Sequence, residues 1–450
     1  MSSSPDGIYE PGVVDPGVPV KNSTNSFWIS EPSHIAKLQS PWVNAADVVI
    51  IGSGMSGMNL ARTIYQKMPT CQVVIIDARD ICSGATGRNG GHIKAMSYNV
   101  WLDRKQRYGV EEAIRLTAFE HSHLEKMTAA IQENHIDYDL TFVEGIDAYY
   151  DSKIFDEATV ALDDMRKFAP HLATQYTVHT DQDKIRELGC SERCIGAIGI
   201  PAASVWPYKM VTALLNKMVQ ENGLCIQSNT NVISVADTKG TDLAVVQTDR
   251  GAIKARNVVH ATNGWMGHLV SELRPYISPV RGNVIHQVIH SPIFNLKNSF
   301  WYRYAAKDWD YLIQRPEGDV VLGRANIGRR ATGDDSQTDF CPQIHLRGVI
   351  AEMYMDGQFS SEITHSWSGI PGYTQDGAPF AGRLPFSGHT HQWVCGGYHG
   401  IGMIKAFRMA EMVARMIVGE DVTSEYPRSF FITEQRMKKL RQSLCAKQKL

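Results

Sequence analysis

The segment Asp47–Asp77 limits what this chain can fold into more than any other. Asp47 to Ile51 (DVVII) is a short β-branched run of the kind that forms a strand buried on both faces. Met55, Met58, Ala61, Ile64, Tyr65 and Met68 follow at helical spacing, and Pro69 ends the helix. A second apolar run, Val73 to Ile76, closes on Asp77. Between the first strand and the helix, Gly52, Gly54 and Gly57 form G-x-G-x-x-G within IGSGMSGMNLA. In this arrangement Gly52 makes the tight turn, Gly54 lets the backbone approach a pyrophosphate, and Gly57 permits close helix–strand packing. The helix N-terminus adds free N–H groups and a positive dipole end. Such a triplet alone is a weak signal. Asp77, about 20 residues on at the end of the second strand, supplies a carboxylate for ribose hydroxyls, and the combination reads as dinucleotide binding rather than a chance Gly-rich turn.

A chain of 450 residues is too long for one ordinary core, so two interleaved domains or two to three in series are expected. The 45 basic residues are scattered and the net charge is −2, which excludes the electrostatic footprint of a nucleic-acid binder. No stretch reaches the roughly 18 consecutive apolar residues of a membrane span, so a soluble protein is expected. The first 20 residues carry neither a basic nor an apolar leader region. The eight cysteines therefore read as free thiols, and the cytoplasm as the location. Gln448-Lys449-Leu450 resembles the peroxisomal S-K-L signal in its last two positions only. Cys190 and Cys194 lack a second ligand pair, and no metal is expected.

Residues 1–45 read as an extension over the surface with Phe27 and Trp28 as anchors, and residues 105–135 as one amphipathic helix. Strands are expected within 137–150 and at Asn231–Val235, Leu243–Thr248, Asn257–Ala261, Val284–Ile289, Tyr311–Gln314 and Val320–Leu322. Further helices are expected at Ala158–Phe168, Pro207–Val219 and Ile404–Ile417, the last followed by a basic tail.

Four segments then carry a resemblance. ARDICSGATGRNGGH (Ala78–His92) resembles the flavin-approach loop of the D-amino-acid-oxidase-like family of FAD-dependent oxidoreductases, which includes glycine, sarcosine and γ-glutamylputrescine oxidases. Glycines at 84, 87, 90 and 91 suit a backbone that must come close to a ring system. HATNGW (His260–Trp265), WSGIPGYTQDGAPFAG (Trp367–Gly382) and GGYHGIGM (Gly396–Met403) match in the same order. The resemblance implies an α/β fold in which an FAD-binding Rossmann-like domain with a βαβ unit interleaves with a mostly antiparallel β-sheet substrate domain. The first would take 46–135, 201–275 and 366–425, the second 136–200 and 276–365, leaving 1–45 as the extension and 426–450 as the tail. It implies FAD contacts from Gly52, Ser53, Gly54, Ser56 and Gly57, and from Asp77, Ala78 and Arg79. Others come from Thr86, Arg88, Asn89, Gly90, Gly91 and His92, from Val232, from Ala261, Thr262 and Asn263, and from Gly400, Ile401, Gly402 and Met403.

The implied chemistry is oxidation of a C–N bond in an amine or amino acid by hydride transfer to flavin N5, giving an imine, with O2 as acceptor and H2O2 as product. The sequence also departs from the family. Gly369 and Arg88 stand where some members bind flavin covalently through Cys or His, so FAD is expected without a covalent link. Pro371 replaces a carboxylate-binding Arg of glycine oxidase, and Val321 the Lys with which sarcosine oxidase speeds reaction with oxygen. Two alternatives follow, an FAD dehydrogenase passing electrons to a protein or quinone, and a flavin-binding protein without turnover. An NAD-dependent dehydrogenase would leave the three later Gly-rich segments unexplained.

Substrate-side candidates are less constrained. His92 and Lys94 alternate along an extended segment and point to one side, which makes them catalytic candidates together with Tyr398 and His399. Tyr311, Arg324 and Tyr373 are candidates for substrate contact, with Arg281 and Arg324 as two-pronged binders of an anionic group. Trp206, Trp265 and Tyr311 are candidates for an apolar pocket. For each of these, core packing or a structural ion pair is the competing reading.

Overall fold

The structure is a computed structural model that describes residues 15–135, 138–291, 294–325, 331–354 and 360–447. β1 (Ala45–Ile51), α1 (Met55–Lys67) and β2 (Val73–Ile76) form the expected βαβ unit, with Val49 opposite Val74 and Ile51 opposite Ile76 in a parallel pair. Both faces of these strands are covered, which is why they read as unbroken β-branched runs. α1 turns Met58, Ala61 and Ile64 inward and stops at Met68, because Pro69 has no N–H with which to continue it. Ala252–His260 pairs with the other side of β1, followed by Gln392–Gly396, while Cys225–Gln227 lies beyond β2. These five strands are parallel, with Phe380–Arg383 antiparallel at one edge and a hairpin of Val232–Asp237 and Ala244–Thr248 attached to Ala252–His260. The register puts Ile51 level with both Ile76 and His260, so Gly52, Asp77 and Ala261 leave the sheet at one rim. Ligands of open parallel sheets bind at such carboxyl ends.

The second sheet has nine strands, antiparallel except where Ser299–Ala305 runs parallel to Thr141–Tyr149. Its side chains alternate between two surroundings. Ile285, Phe300, Tyr302, Leu312 and Leu322 pack with Leu346, Val349 and Ile350 of the helix Phe340–Tyr354. Val284, Trp301, Trp309 and Tyr311 face the space between the sheets, with Trp301 directly opposite Tyr311 and Asp147. At this sheet's far edge His92–Ile93 pairs with Gly196–Ser204, so the Gly-rich loop leaves the first sheet and ends on the second.

Three expectations are corrected. The helix foreseen over 105–135 is two, Trp101–Tyr108 and Val110–Glu133, broken at Gly109, whose φ of 85° no helix accommodates. The basic tail contains a docked helix, Glu434–Lys447, with Met437 and Leu440 buried and Leu444 half-buried against them. Their i, i+3, i+7 spacing was present in the sequence but diluted by lysines and arginines. Arg436 fixes this helix by donating to the Asp376 carboxylate at 2.9 and 3.0 Å. The N-terminal extension does more than lie over the surface, since Trp28 is 1% exposed and Trp206 donates to its carbonyl at 2.7 Å. Among the described residues no helix is long and apolar enough to cross a membrane. Gln448–Leu450 lie outside the described residues.

Candidate active site

A cavity of about 450 Å³ lies between the two sheets and is reached by all four Gly-rich segments. At its βαβ end each glycine has a separate steric reason. Gly52 has φ +109°, and a Cβ there would sit 2.7 Å from the Ala261 carbonyl oxygen. A side chain at Gly57 would drive into the Gly52 carbonyl, so this glycine serves helix–strand contact and stands behind the cavity wall. A Cβ at Gly54 meets only Thr86 Oγ1, at 3.0 Å, and the rest of its surroundings is the cavity. Asp77 accepts from the Ser53 amide at 2.9 Å, the Ser53 hydroxyl at 2.5 Å and the Arg79 amide at 3.0 Å. Burial pushes its carboxyl up, against those three hydrogen bonds. The same end holds two buried polar atoms without a hydrogen-bond partner among the described residues, Thr262 Oγ1 and Trp265 Nε1. The N-terminus of α1, where the Met55 amide donates to Thr86 Oγ1 at 3.0 Å, and the Asp77 carboxylate at the glycine-lined end of the cavity fit the diphosphate and ribose of FAD.

The loop Ala78–His92 is held differently from the sequence reading. A Cβ at Gly90 would enter the Tyr311 ring, and one at Gly91, with φ +67°, would lie 2.6 Å from the Val205 carbonyl oxygen. These two glycines let the loop pack on the second sheet, and Gly91 does not reach the cavity. The Arg88 guanidinium is turned into the protein, donating to the carbonyls of Ser83 at 2.8 Å, Thr24 at 2.7 Å and Ser368 at 2.9 Å. Burial lowers its pKa to about 10. Asn89 closes the loop on itself, accepting from the Gly91 amide at 2.7 Å.

At the other end the wall is aromatic, built from Trp301, Trp309, Tyr311 and Tyr373. His92 and Lys94 do lie on one side, both against Trp301, but neither offers a free group. The Trp301 indole N–H donates to His92 Nδ1 at 3.1 Å, so the neutral ring carries its proton on Nε2, 2.7 Å from Ser299 Oγ. Burial, and then the charge of Lys94, lowers the His92 pKa to about 3. Lys94 Nζ lies 4.3 Å from the Trp301 ring centroid and 2.9 Å from Asp147 Oδ2, and burial brings its pKa to about 8. Arg303 binds the other oxygen of Asp147 at 2.9 Å, and Tyr98 donates to Oδ2 at 2.5 Å. Although burial opposes it, Arg303 and Lys94 hold the Asp147 carboxyl below its usual range.

The remaining candidates separate clearly. Arg281 is held by Asp339 at 3.1 Å and the Asp334 carbonyl, away from the cavity. Arg324 touches the cavity, yet its guanidinium is committed to Asp308 and Asp310, at 2.5 and 2.8 Å, and to His345. Trp206 packs in the core. Tyr398 is bonded to Ser56, with Cys395 Sγ at 3.4 Å, and burial pushes its hydroxyl well up, so it braces α1. His399 has φ 56° and accepts from the Thr374 amide at 3.1 Å, placing its ring on Tyr373 at 5.0 Å. Sequence reasoning missed Trp301, Trp309 and Asp147. Their signal was positional: Trp301 and Arg303 alternate with Phe300 and Tyr302 in SFWYRYA, and Gly145, Asp147 and Tyr149 share one strand face.

His92 should give no limb to the pH–rate profile of flavin reduction between pH 5 and 8, because it is already neutral there. A limb near 6.5 that disappears in His92→Gln would contradict the assignment of Nδ1 as acceptor.

A sequence profile for the family described as FAD dependent oxidoreductase matches residues 47–416. The probable oxidoreductase OrdL of Rhizobium meliloti (strain 1021) is 26% identical over 392 residues, 84% of this chain and 85% of that protein. The gamma-glutamylputrescine oxidoreductase of Escherichia coli (strain K12) is 23% identical over 391 residues, 83% of this chain and 84% of that protein. Among solved structures, glycine oxidase from Geobacillus kaustophilus superposes with a TM-score of 0.67 at 19% identity, covering 85% of this chain and 98% of its own. L-proline dehydrogenase from P. horikoshii gives 0.69 at 20%, covering 86% and 98%.

Proposed function

Because the chain belongs to the FAD-dependent oxidoreductase family, we propose that it oxidises the C–N bond of a small amine or amino acid. The observation that carries this reading is the continuity of one cavity, from the dinucleotide cradle at Gly54 and Asp77 to the aromatic wall of Trp301, Trp309, Tyr311 and Tyr373. FAD held by Gly54 and Asp77 would supply the electron sink for removal of a hydride from the carbon next to nitrogen, giving an imine, with O2 as the final acceptor reduced to H2O2. Relatives whose names specify amines or amino acids support the substrate class. The protein's own contribution is orientation and charge. A wall of four aromatic rings excludes water and favours the uncharged amine. His92 and Ser299 fix the Trp301 plane, and Lys94 and Arg303 against the single carboxylate of Asp147 leave the layer behind it net positive. That sign favours an acceptor that gains negative charge, as O2 does.

We place His92, Lys94 and Asp147 as positioning residues, and Tyr373 with His399 at the substrate. FAD is held without a covalent bond, since Gly369 and Arg88 offer no linking atom to the cavity. The expected location is the cytoplasm. Anaerobic addition of primary and secondary amines and amino acids should bleach the flavin of the purified protein, and air should restore it with release of peroxide. A panel in which dithionite bleaches and no amine does would sink the substrate class. Bleaching by amines without peroxide would move the acceptor to a protein or quinone. Acid precipitation should leave the yellow colour in the supernatant.

A further inference from the structure

The N-terminal segment Asp15–Trp28 lies before the family-matched residues 47–416, yet it is bonded at several points to short helices and loops from elsewhere in the chain. Asp15 is bonded to His268 at 2.7 Å and Arg274 at 2.8 Å. Pro16 rests its carbonyl on Gly333, where any side chain would collide with it. Gly17, Val18 and Pro19 then line the cavity at the end where Asp77, Arg79 and Trp265 stand. Further on, the Thr24 amide donates to the Asp335 carbonyl at 2.8 Å and the Ser26 hydroxyl to the Gly87 carbonyl at 2.7 Å. The Trp28 indole N–H donates to the Asn89 carbonyl at 2.6 Å. Beneath this run sits Asp335, fully buried, with Arg79 at 2.9 Å and Arg88 at 3.4 Å. The Asp335 carboxylate thus joins two arginines of the flavin loop, while its backbone carbonyl holds Thr24 of the segment that crosses over them.

Trp265 links this segment to the cavity. Trp265 is 7% exposed, lines the cavity, and has an indole N–H without a hydrogen-bond partner among the described residues. Its indole Nε1 is buried on the side of Gly333 and the Pro16 carbonyl, so the ring stands between the segment and the cavity.

We propose that Asp15–Trp28 is a wall of the FAD site that shuts its adenosine end. FAD can then leave only after Gly17–Pro19 lift, which requires the Asp15 contacts with His268 and Arg274 to break.

The test is the rate at which FAD leaves the holoenzyme, followed by the fluorescence of freed flavin after dilution. A chain lacking residues 1–21 keeps Ser23, Thr24 and Trp28 but loses the part that lines the cavity. It should release FAD at least about tenfold faster, the ratio expected when one or two hydrogen-bonded contacts are lost. Asp15→Asn should accelerate release in the same direction without truncation. Limited proteolysis of the full chain should cut near residues 15–21 more slowly with FAD bound than after its removal. Should the truncated chain fail to fold, Asp15→Asn decides. Release rates equal to the full chain's in every folded variant, with proteolysis indifferent to FAD, would overturn the proposal.

Discussion

Valine at position 54 should give a folded, colourless protein. Gly54 has extended backbone at φ −73° and ψ −167°, which a β-branched residue adopts readily, and its Cβ meets only the hydroxyl of Thr86. The cost to stability is therefore that of a poorer helix cap, about 1 kcal/mol. The two γ-carbons, however, occupy the space into which the cofactor's pyrophosphate must come. Losing two charge-assisted hydrogen bonds at about 1.5–3 kcal/mol each weakens FAD binding by about 100-fold or more. Gly57→Val should behave in the opposite order, because its side chain drives into the Gly52 carbonyl and the turn itself fails. Purified Gly54→Val with a normal flavin spectrum, or Gly57→Val with an unchanged melting curve, would refute this division of labour.

The second large effect is expected at Asp147. Asp147→Asn leaves Lys94 and Arg303 buried without their shared counter-charge, and removal of one partner from such a group costs about 3–5 kcal/mol. The pH dependence has a definite sign. The folded pKa of Lys94, about 8, lies below its ordinary 10.5, so between these values the unfolded chain holds a proton that the native one lacks. Stability from this residue accordingly rises with pH across that window. Asp147, whose folded pKa is lowered, contributes stability that is present above the ordinary 3.8 and is lost as pH falls through the folded value. Without Asp147 the Lys94 pKa falls further, and the rising window extends to lower pH. Denaturant unfolding of both proteins at pH 7 and 9 reads this directly. A deficit in Asp147→Asn that does not shrink from pH 7 to 9 would show that Lys94 stays charged without its partner.

The cradle was legible because the cofactor end is built from backbone. Turns that need glycine at 52, 54 and 57 and an acid at the end of β2 leave their mark in consecutive residues. The aromatic end was not, because its parts come from separate strands and meet only through register. Trp301 faces Tyr311 and Asp147 across two pairings, and nothing local to any of the three announces the others. Arginines misled for a related reason. Arg281 and Arg324 lie in segments where an anion site was expected, but the carboxylates and carbonyls that engage them stand elsewhere in the chain. Gly90 shows the same limit on a small scale, being a flavin-loop glycine whose steric reason is a ring 221 positions later, Tyr311.

The central pairing of the first sheet joins residues 209 positions apart, Ala45 with Lys254. β1 needs Ala252–His260 beside it, that strand needs Gln392–Gly396, and the Arg79–Asp335 contact spans 256 positions. A ribosome that has finished the βαβ unit has made a nucleotide motif with no partner for one edge of its first strand. The five parallel strands can align only when residue 396 has emerged, so loading of FAD belongs to the end of synthesis rather than its beginning. Free flavin in the medium should then raise the yield of native protein by capturing a late, nearly complete form, and should leave the early rate of collapse as it is.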